Sequence, residues 1–335
     1  MTLSLLAGVA LLGTSLLGAP RAAPPPETDP GCVPAVDPDA ATPPATGVAQ
    51  ADPADAPTTD AGLALAAWHG PAACATSEQP ARVVPISRSS RRGWFTVASF
   101  NVLGASHTLR GKRGMASGAR RTLGVVRLLN RHRADIVGFQ ELQRPQYVAF
   151  RKRVGHRYAV WHPGTDTDNA VAWRRDRFRL VKARSLRVPY FEGRVRRMPV
   201  LRLRDRHTGK AVAVLNVHNP ADTRQYPRQG RWRRVAVSRE VALVRWLARR
   251  NRTPVLVTGD MNDRRDVYCR LTASGLTHAA QGPRPRGRCR PPRRAGIDWI
   301  FGTRKVRFAG HTRDASALVR RTTDHPLVVT RARAR

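Results

Sequence analysis

The chain has few cysteines, few aromatic residues and few acids for its length. Only four of its 335 residues are cysteine, and Phe, Trp and Tyr together make up 6%. No C-x-x-C pair occurs among Cys32, Cys74, Cys269 and Cys289, so the sequence lacks the ligand spacing of a cysteine-based metal site. The scarcity of aromatic residues argues against a protein that docks on membranes through exposed aromatic loops.

Charged side chains are absent from residues 3–19, which are apolar or small. We expect residues 1–22 to be a signal-peptide-like segment, although no basic residue precedes the apolar run as in typical secretory signals. The many Gly, Ala and Ser residues favour cleavage over a membrane anchor, which is the alternative for a run of nearly spanning length. The protein is therefore expected to be secreted.

Pro, Ala, Thr and Asp dominate the chain from about residue 20 to residue 80. Such a stretch cannot bury enough apolar surface to offset the chain entropy lost on folding. We therefore expect residues 23–91 to be a Pro/Ala-rich disordered linker. Residues 92–332 fit one large domain, which we expect to be the catalytic domain.

The four cysteines would form two disulfides if the protein is exported. The simplest pairing joins Cys269 to Cys289 and Cys32 to Cys74. The first pair would tie the Pro- and Arg-rich loop 282–294 to the domain. Free buried thiols are the alternative.

Basic residues greatly outnumber acidic ones in the predicted domain. The chain has 60 Lys and Arg against 23 Asp and Glu, a formal net charge of +37. One of the bases and eight of the acids precede residue 81, which leaves 59 bases and 15 acids after it. Such a field attracts polyanions and makes their binding salt-dependent. Because all but five of the bases are Arg, a GC-rich coding bias is the alternative explanation.

Short apolar runs and amphipathic stretches alternate along the domain. Helical spacing of apolar residues predicts helices over 119–133 and 231–250. Strands are predicted over 95–100, 134–139, 170–173, 200–204, 211–217, 255–258, 297–301 and 326–330. Several strands follow one another without an intervening helix, and the turn 207–210 makes a hairpin of two of them. A two-sheet α/β sandwich with mixed strands fits this pattern better than a parallel sheet.

Polar motifs lie at the ends of several apolar runs, where strand ends deliver side chains into a shared cleft. They are Ser99-Phe100-Asn101, Gln140-Glu141, Asn216-Val217-His218, Gly259-Asp260-Met261-Asn262 and Thr323-Asp324-His325. Carboxylate and carboxamide oxygens suit a hard divalent cation such as Mg²⁺. Glu141 is the best candidate for the main ligand, with Asn101 and Asp324 in supporting roles. Taken alone, Asn101 is also typical of a turn.

The remaining polar residues supply what hydrolysis of a phosphate ester requires. Asp260 and Asn262, two residues apart, can orient the attacking water and the phosphate. His218 and His325 can donate to phosphate oxygens, and Asp298 can hold one imidazole in the right tautomer. Asp298 lies in an apolar Ile-Trp-Ile-Phe run, where an unpaired carboxylate is costly. The alternatives without a catalytic role are an Asx turn at Asp260 and a histidine at His218 that merely ends a strand.

Together these motifs resemble the endonuclease/exonuclease/phosphatase superfamily, which includes pancreatic-type deoxyribonuclease, abasic-site endonucleases, bacterial sphingomyelinases and inositol polyphosphate 5-phosphatases. The segments that carry the resemblance are 99–103, 137–142, 169–174, 215–218, 258–262, 297–300 and 323–326. The resemblance implies a four-layer α/β sandwich, with two mixed β-sheets packed face to face and helices outside. It also implies a cleft that holds Mg²⁺ or Mn²⁺ where the strand ends of both sheets meet.

The resemblance implies the same roles for the polar residues. The metal ligands are Asn101, Glu141 and Asp324, and the catalytic residues are His218, Asp260, Asn262, Asp298 and His325. The family's usual Gly-Asp-Phe-Asn is Gly-Asp-Met-Asn here, which leaves the carboxylate in place. An additional acid or tyrosine, which several branches place in mid-domain, has no assigned position. Arg174 is a candidate phosphate contact.

We therefore expect a metal-dependent phosphoesterase, and specifically a secreted nuclease that hydrolyses DNA or RNA phosphodiesters by water attack. A sphingomyelinase-like or phosphoinositide phosphoesterase is the alternative among enzymes, and a non-catalytic nucleic-acid-binding protein is the alternative from another class. Nucleic acid is the expected substrate partner. We expect a monomer with no stable protein partner, and no membrane partner once the signal is removed.

Overall fold

The computed structural model describes residues 93–250, 252–282 and 287–335. The predicted signal-like segment and linker, together with Cys32 and Cys74, lie outside the described residues. No helix in the described ranges is long and apolar enough to cross a membrane.

Two six-stranded mixed sheets form the centre of the domain. The first has the order β11-β12-β1-β2-β4-β3, and the second has the order β5-β6-β7-β8-β10-β9. The first comprises β1 (Trp94–Asn101), β2 (Ile136–Gln140), β3 (Tyr158–Trp161), β4 (Ala170–Arg174), β11 (Val306–Asp314) and β12 (Leu327–Ala334). The second comprises β5 (Phe178–Pro189), β6 (Val195–Asp205), β7 (Ala211–His218), β8 (Val255–Asp260), β9 (Thr277–Ala279) and β10 (Asp298–Thr303).

Five α-helices lie along the described chain. They are α1 (Gly118–Arg131), α2 (Arg144–Val154), α3 (Gly230–Arg250), α4 (Arg265–Leu271) and α5 (Ala317–Thr322). Apolar side chains of α1, α2 and α5 pack on the first sheet, and those of α3 and α4 pack on the second. A separate apolar cluster lies between the two sheets. These layers confirm the four-layer sandwich expected from the sequence.

Side chains that alternate along each strand build this layering. On β1, Val97 belongs to the cluster between the sheets, whereas Ala98 and Phe100 belong to the cluster under the helices. On β8, Leu256 faces the other sheet and Val257 faces α3 and α4. Each fully buried Val, Leu or Phe side chain stabilises the fold by about 1.5–3 kcal/mol.

Parallel pairing brings the functional strand ends to one edge of the sandwich. β1 pairs in parallel with β2, which places Asn101 beside Gln140. β7 pairs in parallel with β8, which places His218 beside Asp260. β10 runs antiparallel to β8 and begins at Asp298, directly opposite Asp260.

Seven elements of the described residues were not predicted from the sequence, namely the helices α2, α4 and α5 and the strands β3, β5, β9 and β11. The stretch after Glu141 forms α2, with Pro145 in the first turn, where its missing N–H is not needed. The long strand β5 pairs with β6 in a second hairpin and went unrecognised because most of its residues are charged or only half-buried. The pairing of Cys269 with Cys289 is confirmed.

Candidate active site

Asp260 lies at the centre of the site and is almost fully buried. Its Oδ2 accepts a hydrogen bond from Asn101 Nδ2 at 3.0 Å and lies 3.6 Å from His218 Nε2 and 3.7 Å from His325 Nε2. Burial and the neighbouring charge of Asp298 raise the pKa of Asp260. One carboxylate therefore contacts the ends of strands from both sheets.

A histidine–aspartate pair stands beside this carboxylate. His325 Nδ1 donates to Asp298, whose oxygens lie 3.0 and 3.1 Å away. Burial alone would lower the pKa of His325, but the hydrogen bond and charge of Asp298 raise it to about 10. His325 is therefore protonated at neutral pH and presents Nε2–H to the cleft, as the sequence predicted for a phosphate donor.

His218, the other predicted histidine, has a different environment. Burial lowers the pKa of His218 despite the opposing charge of Asp260. A neutral imidazole beside a protonated one gives the site two hydrogen-bonding groups in different protonation states.

Glu141 lines the cleft, and its side chain is 19% exposed. Its Oε1 accepts from Asn101 Nδ2 at 2.9 Å and its Oε2 accepts from Gly104 N at 2.8 Å. Burial would raise the pKa of Glu141, but His107, 3.3 Å away, His218 and these donors outweigh it and lower the pKa. Glu141 therefore stays ionised.

Three residues in or next to the site have a left-handed backbone conformation. Leu103, Glu141 and Asn262 have φ values of +52°, +58° and +46°, in the left-handed region. Such conformations cost of order 1–3 kcal/mol each and persist where surrounding contacts fix them. At Asn262, the backbone N–H donates to Asp260 Oδ1 at 2.9 Å and Nδ2 donates to Asn219 O at 2.8 Å.

The predicted site residues are brought together in one cleft of about 1030 Å³. Lining it are Glu141, His218, Asp260, Asn262, Asp324 and His325. Asn101 and Asp298 lie buried behind them and touch Asp260 and His325 respectively. Asp324 is the most exposed, at 43% of its side chain, and forms an ion pair with Arg113.

The site's donor set fits a hard divalent cation. Glu141, Asp260, Asp298 and Asp324 offer carboxylate oxygens, the ligands that Mg²⁺ prefers. Ligand atoms of Asp260, Asp298 and His325 also lie within 4.8 Å of one another. Asp298 is hydrogen-bonded to His325 in this group, and ligation of the cation by Glu141 stays a prediction.

Asn101 approaches the carboxylates with its amide nitrogen. Its Oδ1 accepts from Leu103 N at 3.0 Å and points away from Glu141 and Asp260. Direct ligation by this oxygen would require the amide to turn over. In the orientation observed, Asn101 bridges the two carboxylates, and its role as a metal ligand stays a prediction.

Several site residues were not identified from the sequence. His107 contacts Glu141, and Asp168 lies in the cleft with Arg196 Nη2 at 3.4 Å from its Oδ2. Burial and the charge of Asp166 raise the pKa of Asp168 to about 6. Asp168 directly precedes the recognised segment 169–174, and this position is the signal that could have identified it. Arg174 instead pairs with Asp176 and Asp135, outside the cleft lining.

A model of the Endonuclease/Exonuclease/phosphatase family matches residues 98–325. The fold is similar to that of the human Nocturnin catalytic domain with bound sulfate, at a TM-score of 0.58 and 16% identity over 72% of this chain and 95% of that one. A Bacteroides thetaiotaomicron mannosyl-6-phosphatase gives a TM-score of 0.55 and 18% identity, covering 71% and 99% of the two chains.

A further similar structure is D. rerio TDP2 complexed with a single-strand DNA product, with a TM-score of 0.53 and 16% identity over 72% of this chain and 99% of that one. No match was found among curated proteins. The family match covers well over half of the chain and includes every predicted site residue. The chain therefore belongs to the endonuclease/exonuclease/phosphatase family and is a phosphoesterase hydrolase.

Proposed function

We propose that this phosphoesterase is a secreted nuclease that hydrolyses phosphodiester bonds of DNA or RNA with Mg²⁺, or with Mn²⁺ in its place. The observation that carries the proposal is the combination in one cleft of the carboxylate and histidine cluster with Arg113, Arg194, Arg196, Arg197 and Arg224. Arginines spaced along a cleft fit the repeated charges of a nucleic-acid backbone. The single-strand DNA product in TDP2 supports a nucleic-acid substrate on this fold.

Each residue of the site has a separate role in the proposed hydrolysis. Asp260 orients the water and accepts its proton, while Asn262 holds the loop that carries Asp260. His325 donates Nε2–H to a phosphoryl oxygen, and Asp298 fixes its ring through Nδ1. His218 is the second donor toward the phosphate. A divalent cation at Glu141 would supply Lewis-acid stabilisation of the developing negative charge.

A small phosphate ester is the second candidate substrate. The similarity to a mannosyl-6-phosphatase shows that this architecture also occurs with a sugar phosphate substrate. A single phosphate group needs only the cations beside the carboxylate cluster. This cleft is also lined by Arg194, Arg197 and Arg224, which lie outside that cluster. A non-catalytic binding role is a weaker candidate, because the carboxylates and histidines of the candidate site line one cleft. A sphingomyelinase-like or phosphoinositide specificity is weaker because aromatic residues, which dock exposed loops on membranes, make up only 6% of the chain.

Export of the protein is supported by one structural feature. The disulfide between Cys269 and Cys289 joins α4 to the segment before β10, and such bonds persist in oxidising compartments. We therefore retain secretion as part of the proposal, with a monomeric enzyme and no stable protein partner.

The proposal is tested with a substrate panel and a chelator. Purified protein with Mg²⁺ is expected to cut plasmid DNA, single-stranded DNA or RNA, and chelation is expected to abolish the cleavage. Asp260→Asn and His325→Ala should each lower kcat by about 10²–10⁴-fold, the usual contribution of a positioned acid or base, while salt-sensitive binding persists. Asp176→Asn, at a distant exposed carboxylate, is the matched control. Hydrolysis of sphingomyelin, a phosphoinositide or a sugar phosphate without nucleic-acid cleavage would overturn the proposal.

A further inference from the structure

A row of aromatic rings runs outward from the catalytic site along one wall of the cleft. The ring of Tyr190 lies 5.6 Å from that of His218, and Phe191 follows at 4.4 Å. Tyr226 stacks on Phe191 at 4.5 Å with an interplanar angle of 15°. Tyr190 is buried, whereas Phe191 and Tyr226 are partly exposed and line the cleft. We call Tyr190, Phe191 and Tyr226 the aromatic row, and the phosphate chemistry above uses none of its members.

The loop that carries Tyr190 and Phe191 is held in place by its own contacts. Gly193 has a φ of +81°, and a Cβ there would lie 2.7 Å from the ring of Trp232 on α3. The backbone N–H of Glu192 donates to Gln229 Oε1 at 2.9 Å. These contacts fix the rings before a substrate arrives, which reduces the ordering cost of binding.

Three arginines line the same cleft as the row, and one of them, Arg194, is paired with Glu192. Arg194, Arg197 and Arg224 are exposed and line the same cleft. Among the residues that the structure describes, no ion pair involves Arg197 or Arg224, and Arg197 lies directly opposite Arg187 in the β5–β6 register. Like charges in such a pair destabilise a sheet. The arrangement therefore favours a ligand with several negative charges.

We propose that Phe191 and Tyr226 form a subsite for an unpaired base of a single-stranded nucleic acid, with Arg197 and Arg224 contacting its flanking phosphates. The inference rests on the proposed nuclease function and specifies its substrate. Aromatic faces stack with any base, because every base has a π-face, but only when the base is not already stacked in a duplex. A sugar phosphate or lipid headgroup would leave most of these arginines without a partner.

A double-mutant cycle between ring and base tests the subsite. The substrate is a short single-stranded oligonucleotide with one cleavable phosphodiester, the other linkages being phosphorothioates, made with either normal or abasic nucleotides beside that bond. Wild-type protein is compared with a variant carrying Phe191→Leu and Tyr226→Leu, which keeps apolar volume but removes both rings. Removing the flanking bases should lower wild-type kcat/KM by roughly 5- to 100-fold, the effect expected for one stacked base, but change that of the double variant less than about 2-fold.

Several controls separate stacking from misfolding and from failure of the nuclease function. The single variant Tyr226→Trp retains an aromatic ring and should keep the wild-type sensitivity to base removal. Arg245→Ala, at an exposed position of α3, should also leave that sensitivity unchanged. Equal sensitivity of wild type and double variant would overturn the inference alone. Equal cleavage of the normal oligonucleotide in single-stranded form and annealed to its complement would also overturn it. If wild-type protein cuts no nucleic acid, the proposed function fails and this inference fails with it.

Discussion

At the scale of single residues, Asp260 determines how the site is organised. Asn101 hydrogen-bonds its Oδ2, and His218 and His325 approach the same oxygen within 4 Å. These neighbours offset the cost of burying a carboxylate, which is high without partners. The same contacts hold Asp260 in a single orientation toward the cleft. Its proposed role in positioning a water requires such a fixed orientation.

Glu240 is a second buried acid, and it makes the stability of the protein depend on pH. It lies fully buried on α3. Burial raises its pKa to about 8, despite the neighbouring Asn219 amide and the charge of Arg270. The unfolded chain releases this proton near pH 4.5. Between these two values the folded state therefore binds more protons than the unfolded state, and stability falls as pH rises from about 5 to 8.

Glu240→Gln should remove this dependence, because glutamine is neutral in both states. Urea unfolding of wild type is expected to lose up to about 1.4 kcal/mol for each pH unit across the window, and the variant should lose markedly less. Glu192→Gln, at an exposed glutamate, is the control and should follow wild type. Parallel pH profiles of wild type and Glu240→Gln would contradict the prediction.

At the scale of elements, a polar layer between the two sheets supports the floor of the site. Asn216 on β7 accepts from Gln140 Nε2 at 2.6 Å and from Thr258 Oγ1 at 3.0 Å, and donates to Phe139 O at 2.7 Å. These bonds join the end of β2 to β7 and β8. The layer fits because Gly138, which faces it, has no side chain.

Gly138→Ala should destabilise the sandwich by overpacking this layer. A Cβ at Gly138 would lie 2.1 Å from Thr258 Oγ1 and 2.3 Å from Asn216 Oδ1, so the sheets must separate or the hydrogen bonds break. We expect a loss of about 1–3 kcal/mol in the free energy of unfolding, measured by denaturant titration. Gly230→Ala is the matched control, since its Cβ would meet nothing closer than 3.7 Å. A loss for Gly138→Ala no larger than for Gly230→Ala would refute this packing account.

At the scale of the whole molecule, the excess of arginine sets the electrostatic field in which the site works. After residue 80 the chain has 59 bases against 15 acids, yet the cleft of this domain contains a cluster of carboxylates. The positive surroundings attract a polyanion, and the negative cluster is the place for a cation. The two opposite charges therefore serve different parts of one substrate complex.

Salt should weaken the binding of nucleic acid much more than the intrinsic chemistry. We expect KM for a single-stranded oligonucleotide to rise steeply with NaCl, because each phosphate contact releases counterions and steepens the slope of log K against log salt by about 0.7. For a phosphodiester with one charge, such as bis-p-nitrophenyl phosphate, KM should change little over the same range. A similar salt dependence for both substrates would show that the arginines do not contact the oligonucleotide backbone.

The sequence predicted the central strands and most of the site because both depend on local patterns. Apolar runs before Asn101, Glu141 and Asp260 identified β1, β2 and β8 close to their observed bounds. The sequence did not predict contacts between residues that are far apart in the chain. His107 becomes a site residue only because a loop folds over Glu141, and the Phe191–Tyr226 stack joins segments with no shared motif.

By itself, the sequence determined the family, the alternation of strands and helices, and the chemical types in the site, because these depend on composition and on motifs a few residues long. Only the tertiary structure decided which groups meet. Register places Asp298 and His218 on either side of Asp260, and the protonation states of His325 and Glu240 follow from neighbours and burial. A pKa or a stacking contact depends on distances across the fold, and these arise only when distant segments pack together.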